Sequence, residues 1–284
     1  MKFSFTFFIV LTLFSLSAFG QLITNRITGT VSGPDGLIPG AMVKIKSNST
    51  GQEITAVTDS KGSFSTNNLE IGLYEVTITA NGFKTYSAQK VQLEVGKEFS
   101  LDAILEVGGV NEVVNVTIGQ ELINSVDGKI SNGVTRKQLD DLPSLGRNPL
   151  NFVPLQAGAA SNPSQLTVIN GVRTSATNTT IDGINVQDNF IRSNATDFSP
   201  ARPTVDEVEE FAVSSQTGVD DGFGGAQIQF VTRRGGNQFN FRLFELNRNS
   251  ELAANGFFNN ANNVARPFRN RNQFGGNAGG AIIK

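Results

Sequence analysis

From about residue 25 onward, apolar and polar positions alternate in short runs, and turn-forming residues separate the runs. Close spacing of such runs is the pattern of an all-β sandwich. The runs are Ile27–Val31, Met42–Lys46, Ile54–Thr58, Ser63-Phe64, Tyr74–Thr79, Phe83–Tyr86, Val91–Val95 and Phe99–Leu105. Gly33-Pro34-Asp35-Gly36, Asp59-Ser60-Lys61-Gly62 and Asn81-Gly82 read as turns between them. Gly62 and Gly82 permit backbone angles that a Cβ would oppose, and Phe64, Tyr74 and Phe83 are expected to fill the space between the sheets. A sandwich of about seven strands is therefore predicted over 25–106.

The pattern differs on either side of that region. Phe3 to Phe19 is apolar behind Lys2, and Ala18-Phe19-Gly20 offers small residues where a signal peptidase reads. Residues 1–20 are thus expected to be a signal peptide cleaved between Gly20 and Gln21. After Gly108-Gly109, a connector over 107–119 carries Glu112, Val113, Val114, Asn115, Val116, Thr117 and Ile118. Its β-propensity and its place between two domains suit either a strand that pairs with a sheet edge on another protein or the first strand of the next domain. Residues 120–236 mix short elements. Thr135 caps a helix through Leu139 that ends before Pro143. Asn170-Gly171 and Asp182-Gly183 read as hairpin turns. Val205, Val208 and Phe211 are spaced for one face of a short helix, with Asp206, Glu207, Glu209 and Glu210 mainly on its solvated side.

Composition narrows the chemistry. The 284 residues contain no Cys and no His, which removes zinc–thiolate and zinc–histidine sites, disulfides, a Cys-linked lipid anchor and the Ser-His-Asp triad. No nucleophile–base pair is visible, so an enzyme is not expected, nor any cofactor or metal. The formal charge of −2 gives no basic footprint for nucleic acid. Charged residues are 17% of the chain, and Gly, at 30 residues, favours turns and short strands.

Two resemblances follow from motifs. Gly29-Thr30-Val31, Pro39-Gly40-Ala41, Thr58-Asp59 with Gly62 and Phe64, Gly72-Leu73-Tyr74 and Gly82-Phe83 together resemble the carboxypeptidase regulatory-like domain. That resemblance implies a transthyretin-like fold grouped with carbohydrate-binding-like sandwiches. It does not imply peptidase activity, and sugar binding would be analogy at the level of fold. Further along, Leu142-Pro143 with Gly146-Arg147-Asn148 resembles a block of the TonB-dependent receptor plug, especially of the Oar-like receptors. So do Asn170-Gly171 with Arg173, Ile181-Asp182-Gly183, Val205 to Phe211, and Gly222 to Phe239. Ordered blocks over 120–236 are a more specific signal than any one of them.

The resemblance implies a plug inside a barrel of about 22 strands, a TonB box at Glu112 to Ile118, and TonB with its inner-membrane motor as the partner, joined by β-augmentation. It implies a nutrient ligand such as a glycan, a peptide or a metal chelate. Arg147, Arg173, Arg233 and Arg234 would be either charge partners between plug and barrel or surface charges. Residues 237–284 read as the truncated start of that barrel, because a barrel strand takes about 9–11 residues and only one or two fit. Phe239, Phe241 and Leu243 are then expected to lack partner strands, and the sequence to be a fragment. The expected fold is mainly β: a sandwich, an α+β plug and an incomplete barrel. The expected role is the N-terminal part of an outer-membrane receptor for nutrient uptake, periplasm-facing at its N-terminal domains. The alternative is a secreted carbohydrate-binding sandwich with a remnant plug.

Overall fold

The computed structural model describes residues 25–109, 112–117, 131–142, 146–161, 167–187, 203–215 and 224–282. The leader with Gly20 and Gln21, and the motif positions Ile118 and Pro143, lie outside the described residues. The chain divides into two units, Met1–Arg233 and Arg234–Lys284.

In the first unit, alternating burial builds nine strands in chain order. They are β1 (Asn25–Gly33), β2 (Gly36–Leu37), β3 (Met42–Ser47), β4 (Glu53–Val57), β5 (Ser63–Leu69), β6 (Gly72–Thr79), β7 (Thr85–Leu93), β8 (Phe99–Ser100) and β9 (Ala103–Ile104). A tenth, β10 (Val113–Thr117), follows. One sheet centres on β1, which pairs with β2, β5, β8 and β9; the other runs β10-β7-β6-β3-β4. Ile27, Val31, Val43, Ile45, Val76 and Ile78 fill the core between them, with Phe64 and Tyr74 buried and Phe83 packed at its margin. Burying each of these aliphatic side chains contributes roughly 1.5–3 kcal/mol.

Three sequence expectations change here. The runs 83–86 and 91–95 belong largely to one strand, because Lys90 takes a left-handed φ of 61° and absorbs an irregularity without ending β7. The run 99–105 is broken into two short strands, both parallel to β1, where Asp102 turns its carboxylate onto Thr30 N and Oγ1. The connector strand is not the first strand of the next domain: β10 is the edge strand of the sandwich sheet.

The second part of this unit is built on one mixed sheet. Its strands are β11 (Ser131–Val134), β14 (Thr177–Ile181), β15 (Ile184–Asn185), β16 (Val208–Ser214) and β17 (Ala226–Thr232), in the order β11-β16-β17-β14-β15. A small ladder, β12 (Ala159–Ser161) and β13 (Thr167–Ile169), lies apart from it. Helix α1 (Arg136–Asp141) starts at Thr135, whose N–H donates to the Gln138 side chain. Leu139, Leu150, Phe152, Val153, Phe211, Ile228 and Phe230 form its core, with the Phe211 and Phe230 ring centroids 5.4 Å apart.

The predicted helix at 205–211 is instead a turn followed by strand β16. Phe211 and Val213 face this core, while Ala212 faces a second cluster with Val95, Val231 and Ile71. A strand covered on both faces leaves little solvated side, and Asp206 and Glu210 are buried rather than exposed.

The second unit is a hairpin. Strands β18 (Asn240–Asn249) and β19 (Asn270–Gly279) pair antiparallel over ten residues each, about 33 Å of strand at 3.3 Å per residue. Phe241 and Leu243 therefore have a partner strand, contrary to expectation, although both stay exposed. Phe241, Leu243, Glu245, Phe274 and Ala278 share one face by register, and Asn247, Asn249, Asn270 and Asn272 continue it with polar residues. Arg242, Phe244, Leu246, Arg248, Arg271 and Gln273 share the other. The Phe244 ring lies over Gly275 of the facing strand, at a spot where a Cβ would stand 2.8 Å from it. Helix α2 (Phe257–Ala261) sits in the connection between the two strands.

Candidate functional site

The candidate site is β10 and the strand that carries it. β10 lies parallel to β7 in the register Val113↔Thr85, Val114↔Tyr86, Asn115↔Ser87, Val116↔Ala88 and Thr117↔Gln89. The approach is set before the strand begins. Lys84 N donates to Glu106 O at 2.8 Å, and Thr85 N donates to Glu112 O at 2.8 Å. The Lys84 ammonium stands 3.2 Å from the Glu112 carboxylate and 3.3 Å from that of Glu106. Hydrogen bonds to Glu112 and then Glu106 hold the Lys84 pKa above its usual value. Both carboxylates are exposed, so this clamp orients the chain more than it stabilises it.

Burial of β10 is shallow. Val116 packs against the sandwich core and Val114 is half-buried, whereas Val113 is 55% exposed and Asn115 is exposed. Among the described residues the pairing runs to Thr117↔Gln89. The outer edge of β10 carries no strand among the described residues. An uncovered sheet margin presents backbone N–H and C=O groups with which another strand can pair.

The plug motif residues do a different job. Arg147 binds Asp206 through two hydrogen bonds, Nε to Oδ2 at 2.8 Å among them, and both side chains are mostly buried. It is an internal brace of its own domain. Asn148 caps the 3-10 turn Pro149–Leu155 by accepting from Leu150 N. Asn170-Gly171 and Asp182-Gly183 all have positive φ, as hairpin turns of this type require. The Asp182 carboxylate also receives Thr232 N and Oγ1, and Ile181 pairs with Ile184 across the turn. Leu142 closes α1, Gly146 is exposed, and Arg173 is exposed at the surface turn before Ala176. Arg233 pairs with Glu209. These positions shape loops; they do not converge on a reaction centre. Among the described residues no group of three His, Cys, Asp or Glu side chains is placed to hold a metal, and no helix is long and apolar enough to cross a membrane.

Two features escaped the sequence reading. One is the β7 cradle itself, with Lys84 between two carboxylates. The other is Glu210, 4% exposed, whose Oε1 accepts from Val95 N at 3.0 Å. It joins strand β16 of the mixed sheet to the turn after β7. Burial, with Glu94 and Glu209 nearby, pushes its carboxyl up to about 8, against the Val95 hydrogen bond and Lys97.

Residues 26–106 match the carboxypeptidase regulatory-like domain. Residues 231–284 match an outer membrane beta barrel domain. The second match marks the chain as consistent with an outer-membrane protein, and the β18–β19 hairpin lies within it. Among curated proteins, none matches.

Solved structures with a similar arrangement include the dioxygenase domain of a dioxygenase carbohydrate-binding protein fusion from Streptomyces sp. SirexAA-E. It is 14% identical with a TM-score of 0.26, covering 32% of this chain and 84% of that one. Catechol 1,2-dioxygenase from Pseudomonas arvilla is 11% identical with a TM-score of 0.27, covering 34% and 56%. A candidate carbohydrate binding protein from Bacteroides uniformis is 17% identical with a TM-score of 0.25, covering 28% and 40%. This chain thus spans about half the length of the last two.

The sandwich carries a small depression lined by Ser47, Ser49, Thr50, Gln52, Glu70 and Tyr74 among others. Its cavity is about 20 Å³, room for roughly one water.

Proposed function

We propose that this chain is the gating part of an outer-membrane receptor of the TonB-dependent kind, with residues 120–236 as the plug and Glu112 to Ile118 as the strand that TonB engages. The observation that supports this most is an edge strand of five residues lying in sequence between the sandwich and the plug-like sheet. Such a strand offers a periplasmic partner backbone groups to pair with, and a pull on it acts on the domain that follows. The hairpin adds support. One face carries Phe241, Leu243, Phe274 and Ala278, with Glu245 opposite Phe274, before an Asn-rich end, an order that suits a barrel strand passing from the lipid band to water.

Binding of the mature chain to the purified periplasmic domain of the host's TonB tests the proposal. Val113→Pro with Asn115→Pro removes two N–H donors from the outer edge of the strand and is expected to abolish binding. Unchanged binding by that variant would remove β10 from the mechanism.

A further inference from the structure

We propose that the sandwich is a holder for the pairing strand, keeping β10 on β7 so that the strand must leave this cradle before a partner can take it. This rests on the reading of β10 as the partner's strand and adds how access to it is controlled.

Three features of the cradle carry the inference. The slot has a defined start, set by the Lys84 clamp on Glu106 and Glu112. The fit is specific in register, with Val114 and Val116 lying beside Tyr86 and Ala88, which belong to the sandwich core. The hold is nevertheless shallow. The pairing is parallel, short and at a margin, with Val113 and Asn115 turned to solvent. Parallel pairs are slightly weaker per residue than antiparallel ones. A strand fixed in register but lightly buried is suited to be held and given up.

Load direction favours release over simple addition to the open edge. While β10 remains on β7, tension on it is resisted by the sandwich through the Thr85 to Gln89 ladder. Once free, the same tension passes along the chain toward Ser131, where β11 begins, and so into the plug-like sheet. Storage also lowers apparent affinity by the fraction of time the strand is free. A strand free about one hundredth of the time binds about 100-fold more weakly than a permanently free one.

The chain contains no Cys, so Asn115→Cys with Ser87→Cys introduces the sole thiol pair. The two positions are direct register partners, within the reach of a disulfide across neighbouring strands. The exported mature chain carrying both substitutions is compared, oxidised and reduced, with the parent for binding to the purified periplasmic domain of TonB. The expected result is parent-like binding when reduced and a loss of at least about tenfold when oxidised. Equal binding in the two states overturns storage and leaves the pairing reading intact, with the partner adding to the open edge. Where the disulfide does not close, a short bismaleimide joins the two thiols instead, and failure of both cross-links overturns storage, since the strands would then not lie side by side. Absence of binding by the parent sinks the pairing reading itself, and storage with it.

Discussion

Glu210→Gln isolates one buried proton. Glu210 is 4% exposed and accepts from Val95 N through Oε1, a bond that the amide oxygen of Gln can also receive. In the native fold its carboxyl is raised from 4.5 to about 8, mainly by burial. The unfolded chain gives up this proton near 4.5, while the folded chain keeps it to about 8. Between those values the native state holds more protons than the unfolded one, so stability falls as pH rises and levels off beyond the upper value. A difference of about 3.5 in pKa, at roughly 1.4 kcal/mol each, sets a ceiling of about 5 kcal/mol on the loss.

Attribution is clean because the chain has no His, the side chain that ordinarily titrates in this window. Glu94, Glu209 and Lys97 are the charged groups that act on it. With no Trp in the chain, circular dichroism serves as the probe of urea unfolding. At pH 5, 6.5 and 8 the parent is expected to lose stability progressively, by up to the ceiling. Glu210→Gln should stay nearly level and overtake the parent at pH 8. Parallel pH profiles for the two proteins would refute the assignment of that slope to Glu210.

Further expectations concern backbone space and internal braces. A Cβ on Gly29 would stand 1.9 Å from the Leu101 carbonyl oxygen, so Gly29→Ala should cost about 1–3 kcal/mol in the same unfolding assay. Arg147→Met leaves the Asp206 carboxylate without its two hydrogen bonds and should cost about 3 kcal/mol, with Asp206→Asn added to it restoring part of the loss. Amide exchange should be faster at Val113 to Thr117 than at β6 or β3, which lie inside the same sheet.

Legibility in the sequence followed the number of covered faces. Strands such as β3 and β6 alternate because one side meets the core and the other meets water or long side chains, so period two was visible. β16 was misread because Val205, Val208 and Phe211 happen to be three apart, and because its other face is covered by the turn at Val95. Nothing in a local window reveals that Glu210 will be roofed by a residue 115 positions away. The hairpin turns at Asn170-Gly171 and Asp182-Gly183 were legible because their backbone demands are local. The β10–β7 pairing was not, since a parallel register is set by tertiary contacts and not by a tight turn. Of the plug motif, the role of Arg147 stayed open until Asp206 was placed beside it.

Photo-cross-linking in intact cells tests the central claim most directly. A benzoylphenylalanine at Val113, which is exposed on β10, is compared with one at Val57, exposed on β4 at the opposite margin of the same sheet. A TonB adduct formed from position 113 and not from 57 is the expected outcome. Adducts from neither position, or equally from both, would contradict a partner that engages this strand.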